Sequence, residues 1–238
     1  MRDWQIELLD ALMGSTDSTA IFDAVASVGR KIDFDYLSYM LVLPIPLTRP
    51  KILSVNNYPY GWQEHYRKMN YAAIDPTIHR SPMSDQSLIW SDALFARTPT
   101  IRNEAGDAGI RHGWVCAVGG LGGARGTFTL ARRENEITSE ELSDKGHQMT
   151  WLAHTTHMTL SKALMNRVVG TKPHTVLTSR EIDVLKWTAD GKTAREIAQL
   201  LAISTNTINF HVKNIVSKLD VTNKTQAVIT AAFLGLLQ

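Results

Sequence analysis

The chain has 238 residues, 44% of them hydrophobic and 20% charged, with a formal net charge of +2. That length suffices for two domains with separate cores, and the composition excludes a disordered or fibrous protein. A lone cysteine, Cys116, excludes an internal disulfide and fits a reducing cytoplasm, while scattered histidines give no metal-ligand spacing. No apolar run approaches the ~20 residues that span a bilayer, and the N-terminus carries acidic residues where a signal peptide would be apolar.

In chain order, Trp4 to Met13 and Thr16 to Ile32 read as helices, and Tyr36 to Leu43 as a strand that stops at Pro44-Ile45-Pro46. Lys51 to Val55 is its candidate partner. Pro59 to Met69 returns to a helical period, while Gly113 to Val118 and Thr127 to Arg132 are further strands. The glycine-rich stretch between them, Gly119 to Gly126, lacks the G-x-G-x-x-G spacing of a phosphate cradle and joins two strands, so it reads as a hairpin. Thr138-Ser139-Glu140-Glu141 is a capping box that opens a long helix running to about Val168. The simplest architecture for residues 1–169 is α+β: an α-β-α sandwich around an antiparallel sheet.

Gly170 to His174 is punctuated by glycine and proline, which places a linker at 170–175 and a second domain at 176–238. There, Thr178-Ser179-Arg180-Glu181 is a capping box between Leu177 and Ile182, and Gly191 is the helix stop. Thr193-Ala194-Arg195-Glu196 repeats the device. After a short turn at Ile203-Ser204 comes a helix in which Ile208, Val212, Ile215, Val216 and Leu219 form one apolar face. Asn206, Asn209, Lys213 and Ser217 occupy another face. Asn223 and Gln226 open a last helix. Four short helices with a tight turn between the second and third are the requirement of a helix-turn-helix. Amides, a hydroxyl and lysines suit base edges and phosphates. From His174 onward seven Lys/Arg stand against five Asp/Glu. That excess is small, so two copies on paired half-sites are expected.

In the first domain the densest chemistry is Asn57-Tyr58-Pro59-Tyr60-Gly61-Trp62, Tyr66, Asp75-Pro76-Thr77 and Trp90. Aromatic residues at this density usually form core. Asp75 argues against a dry core, because a buried carboxylate is costly without donors. A pocket lined by Tyr and Trp with few inward polar groups suits a small amphipathic ligand. No nucleophile–base pair or close carboxylate pair stands out, so catalysis has no support.

The segment LTSREIDVLKWTADGKTAREIAQLLAISTNTINFHVKNIVSKL resembles the DNA-binding domain of LuxR-type regulators. The matching residues include Glu181, Leu185, Gly191, Glu196-Ile197-Ala198, Thr207, His211 and Lys218-Leu219. NYPYGWQEHYRKMNYAAIDPTIHR with LIWSD, and Leu47 to Lys51, resemble the signal domain of the acyl-homoserine-lactone receptors of that family; Ala117 departs, standing where many relatives have proline. The resemblance implies that Thr193–Ala202 is the positioning helix and Thr205–Leu219 the recognition helix. Lys192, Thr193 and Lys218 are then candidates for phosphate. Asn206, Asn209 and Lys213 are candidates for base edges, with Thr205 and Thr207 counted in the DNA-facing set. It also implies that Trp62 donates to the lactone carbonyl, Tyr58 donates to the acyl carbonyl, and Asp75 accepts from the amide N–H. Trp90 packs on the lactone ring and Thr129 places a hydroxyl near the amide; Tyr66 and Thr77 are second choices.

The implied function is a cytoplasmic, non-enzymatic quorum-sensing transcription factor. It binds an N-acyl-homoserine lactone as its signal, with no cofactor and no metal, dimerises, and binds palindromic double-stranded DNA. RNA polymerase is a further candidate partner, and no membrane is expected. Two alternatives remain open at this point: an orphan regulator that needs no ligand, and a phosphorylation-controlled response regulator with the same C-terminal domain.

Overall fold

The computed structural model describes residues 3–43, 48, 50–79, 87–119, 125–169 and 177–237. Residues 3–43, 51–79, 87–119 and 125–166 belong to one compact unit, and residues 167–169 and 177–237 to a second. The expected linker at 170–175, and the stretch Leu47 to Lys51 except Thr48, Pro50 and Lys51, lie outside the described residues. No described helix is long and apolar enough to cross a membrane.

The first unit opens with α1 (Asp3–Leu12) and α2 (Ser18–Lys31). Asp17 caps α2 by accepting from the backbone N–H of Thr19 at 3.0 Å, which satisfies one of the helix's orphan donors. Strands β1 (Tyr36–Leu43), β2 (Lys51–Asn56), β3 (Ser87–Ile89), β4 (His112–Gly119) and β5 (Arg125–Arg132) form one sheet in the order β2-β1-β5-β4-β3. Every pairing is antiparallel.

Register assigns the two faces. Ser38 pairs with Asn56 on one side and Thr129 on the other, and Met40 pairs with Ser54 and Thr127. Opposed residues share a face, so these polar side chains lie on one surface of the sheet. The alternate set, Leu37, Tyr39, Leu41, Trp114, Cys116, Phe128 and Leu130, is fully buried on the other. Here α2 and α6 (Ser139–Val169) cover it. Gly29 of α2 sits where a Cβ would lie 3.7 Å from Leu37 and Leu130, and the Tyr39 hydroxyl meets His157 Nδ1 of α6 at 2.7 Å.

Over the polar face lie α3 (Tyr60–Lys68), a 3-10 turn (Tyr71–Ala73), α4 (Pro76–His79) and α5 (Pro99–Asp107). Trp62, Tyr71, Phe95, Ile101 and Ala105 pack with Tyr36 and Ala131 of the sheet. The expected antiparallel α-β-α sandwich is the fold. The short elements β3, α4, α5 and the 3-10 turn are additions to the predicted set. A three-residue strand has too few positions to show a period, and α5 buries only Ile101 and Ala105.

In the second unit α7 (Ser179–Ala189) and α8 (Ala194–Leu200) begin with complete capping boxes at Thr178/Glu181 and Thr193/Glu196. Gly191 has φ +82° and ends α7 as its position required. Helix α9 (Thr205–Lys218) is capped by Ser204, whose hydroxyl accepts from Thr207 N at 3.1 Å. Helix α10 (Lys224–Phe233) is capped by Asn223. Its Gln226 carboxamide reaches back to Thr222, one residue earlier than a capping box would take it. Val184, Leu185, Ile197, Ile208, Ile215, Leu219, Ala227 and Ala231 make the common core. The fold is therefore an α/β domain followed by a four-helix helix-turn-helix domain.

Candidate functional site

A cavity of about 730 Å³ lies against the polar face of the sheet, within the size range of small-molecule sites. The seven ligand candidates singled out in the sequence, Tyr58, Trp62, Tyr66, Asp75, Thr77, Trp90 and Thr129, all line it.

Asp75, between the 3-10 turn and α4, is 7% exposed. Its Oδ1 accepts from Thr77 N at 2.8 Å and from Thr77 Oγ1 at 2.7 Å, and its Oδ2 accepts from the Tyr66 hydroxyl at 2.7 Å. Two carboxylate oxygens offer about four acceptor positions, so three donors leave one, on Oδ2, for a further N–H or O–H. Tyr66 and Thr77 thus hold the carboxylate in place, and the Tyr66 proton is committed to Asp75.

Burial pushes the Tyr58 phenol well above its ordinary pKa, and the nearby Asp75 charge adds to it against a hydrogen bond with Ser38. The Tyr66 phenol is raised by burial first and then by the Asp75 charge and hydrogen bond. Both therefore remain neutral donors at any physiological pH. Tyr58 is half-buried, and part of its surface opens on the cavity.

Trp62 is buried, edge-on to Tyr66 with ring centroids 5.7 Å apart. Trp90 stands edge-on to Phe95 at 5.6 Å. Gly113 makes room for it, because a Cβ there would lie 2.3 Å from Trp90 Cδ2. The Trp90 Nε1 is buried without a hydrogen-bond partner among the described residues, a state that costs about 1–3 kcal/mol unless an acceptor arrives. Sequence reasoning missed Ser38 and Thr127, both buried and both lining the cavity. Their signal was present in the alternation Ser38-x-Met40 opposite Thr127-x-Thr129. The lining continues over Met40 and Ile52 to Phe22 of α2.

The second candidate surface is α9. Thr205, Asn206, Asn209 and Lys213 are exposed, as are Lys192 and Thr193 before α8. Thr207 is half-buried, its hydroxyl 2.8 Å from that of Ser204. The Thr193 hydroxyl serves the cap of α8. Lys218 does not hold its ammonium out for phosphate alone: Nζ donates to Glu181 Oε2 at 2.7 Å, where Glu181 is 2% exposed. Burial raises the Glu181 pKa, but donors from Lys218 and Thr178 outweigh it and leave the carboxyl below its ordinary value. Phe210, absent from the predicted set, is exposed on the same face as the amides.

Residues 17–160 match the autoinducer binding domain family, and residues 175–231 match the luxR family of bacterial regulatory proteins. The chain is 35% identical over 234 residues to the HTH-type quorum-sensing regulator RhlR of Pseudomonas aeruginosa, covering 98% of this chain and 96% of that one. The crystal structure of Escherichia coli SdiA is similar with a TM-score of 0.82 at 32% identity, covering 99% and 98% of the two chains. CepR2 of Burkholderia cenocepacia, an N-acylhomoserine-lactone-dependent factor, gives a TM-score of 0.64 at 27% identity, covering 68% of this chain and 95% of that one. An autoinducer domain in place of a phosphoacceptor domain removes the response-regulator alternative. The chain belongs to the LuxR family of autoinducer-binding quorum-sensing transcriptional regulators, DNA-binding proteins rather than enzymes.

Proposed function

We propose that the autoinducer is an N-acyl-homoserine lactone whose amide N–H takes the one open acceptor position of Asp75. That position is the observation that carries the reading: a buried carboxylate already holding three donors suits one neutral N–H and disfavours an anion. Neutral Tyr58 donates to the acyl carbonyl and Trp62 to the lactone carbonyl, while Trp90 packs on the lactone ring. Thr129, with Ser38 and Thr127 beside it, supplies hydroxyls near the amide. Tyr66 and Thr77 fix Asp75 and touch the ligand second. The acyl chain runs toward Met40, Ile52 and Phe22, each buried methylene contributing ~0.8 kcal/mol.

Ligand binding completes this half of the core and favours a dimer, a shift between existing populations. The dimer, in the cytoplasm, sets two α9 helices on a palindromic double-stranded site and acts through RNA polymerase. Lys192 and Thr193 take phosphates; Thr205, Asn206, Thr207, Asn209 and Lys213 take bases and the adjoining backbone, with Lys218 at the margin.

Thermal melting of the purified chain against a series of acyl-homoserine lactones tests the ligand half. The wild type should be stabilised by at least one of them and Asp75→Ala by none. No shift with any lactone sinks the assignment, and operator binding that ignores lactone would favour the ligand-independent reading.

A further inference from the structure

Phe210 is 61% exposed on α9. At 3.6 residues per turn it lies about 200° from both Ile208 and Val212, which face the core. Its ring contact is with His211, centroids 6.1 Å apart. Around it stand Asn206 one turn before, Asn209 beside it and Lys213 a turn later, all exposed. A bulky apolar ring thus occupies the middle of a face otherwise made of hydrogen-bonding groups.

The major groove offers that ring one apolar counterpart. Guanine, adenine and cytosine present donors and acceptors there, whereas thymine alone adds a 5-methyl group. A lone ring flanked by amides is also far short of the ~1,200–2,000 Å² that a stable protein interface buries. We propose that Phe210 is a specificity-determining residue, packed on the 5-methyl of a thymine adjacent to a base met by Asn206 or Asn209. The proposal rests on α9 being the recognition helix.

The test uses the full chain with the lactone that shifts its melting most, or without one if none does. Selection from random duplex DNA comes first. Enrichment of a palindrome by the wild type supports the recognition-helix reading independently; no enrichment would overturn both readings. Each thymine of the selected site is then replaced singly by deoxyuridine, which removes only the methyl. The wild type should lose about fourfold in affinity at one thymine per half-site, the value of one methyl taken out of water. Phe210→Ala should bind the two DNAs alike, and Phe210→Leu should keep part of the difference. Absence of a sensitive thymine overturns the proposal, as does a Phe210→Ala protein with the full deoxyuridine loss. A uniform weakening of every site by Phe210→Ala, with no thymine dependence lost, would assign the ring to the general fit of α9 in the groove and overturn the proposal.

Discussion

Two single residues carry strong and separable consequences. Gly113 is the floor under Trp90: any side chain there collides with the indole, the nearest ring carbon being 2.3 Å from a Cβ. Gly113→Ala must therefore move Trp90, and misplacing a ring in a packed site costs about 1–3 kcal/mol. Calorimetry should show lactone affinity reduced by about tenfold or more; unchanged affinity would mean that Trp90 is not part of the binding surface. Lys218 provides the second case. Removing it leaves Glu181, 2% exposed, without its cation, and breaking a buried pair costs about 3 kcal/mol. Lys218→Ala should lower the unfolding free energy of the second unit by roughly that amount. If Lys218 served phosphate alone, stability would hold and only the salt dependence of DNA binding would fall. At this scale the sequence exposes chemistry but not commitment. Asp75, Tyr66 and Thr77 were legible as a polar cluster in an aromatic setting, yet nothing in their spacing says that two of them spend their donors on the third. Lys218 looked like a phosphate ligand because its partner lies 37 residues away in sequence. Phe210 was passed over because a face was read by its polar members.

Elements were legible wherever local signals decide them. The boxes at Thr178 and Thr193, the cap at Asn223 and the stop at Gly191 all form as their spacing dictates. The Thr138 box forms only in half. Its hydroxyl accepts from Glu141 N at 3.1 Å, but the Glu141 carboxylate turns away to the Arg132 guanidinium, whose two arms reach it at 2.9 and 2.5 Å. A bidentate, charge-assisted pair outweighs a single cap bond, and a strand residue cannot be foreseen beside a helix start from spacing. Lys145 joins this group, donating to both Glu141 and Asp33, and ties α6 to the turn between α2 and β1. The Arg132 hydrogen bond, aided by Lys145 against the effect of burial, holds the Glu141 carboxyl below its ordinary value. A group depressed in the folded state stabilises above its unfolded pKa, and that contribution disappears as pH falls through the folded one. The first unit should therefore lose stability below about pH 4.5. Glu141→Gln should be less stable than the wild type at pH 7 and show a smaller drop between pH 7 and pH 3.5. Parallel acid profiles for the two proteins would refute the linkage. The turn between α8 and α9 has its own constraint. Ala202 adopts φ +54°, a left-handed conformation that costs a residue with a Cβ about 1–2 kcal/mol. Ala202→Gly should raise the unfolding free energy by about 0.5–1 kcal/mol after the greater freedom of unfolded glycine is deducted, seen as a higher midpoint of chemical denaturation. A lower midpoint would show that the alanine methyl is needed for packing.

For the whole molecule, the sensor pocket and the reading helix belong to separate compact units, so whatever couples them has to act through a shared equilibrium. Two quantities constrain that equilibrium. From His174 onward the chain carries seven Lys/Arg against five Asp/Glu, and Glu181 already engages Lys218. Few cations are left for phosphate, and each contributes only one step of salt-dependent affinity. One copy on one half-site would consequently be a weak reader, whereas the proposed dimer would add the contacts of two copies on a palindrome. The pocket supplies the second quantity. A ligand held at 100 times its Kd stabilises the folded form by about 2.7 kcal/mol, which for a domain of this size raises the melting temperature by roughly 5–10 °C. The same free energy is available to the dimer only if the ligand binds the dimeric form more tightly. The lactone must then do two things together: raise the melting temperature by that amount, and make DNA binding steeper in protein concentration. Titration of the chain onto a palindrome and onto a single half-site, each with and without lactone, checks both. The palindrome should be preferred by about 100-fold with ligand and by much less without it. Equal preference in both conditions would leave the ligand a stabiliser of the fold and separate it from the choice of DNA.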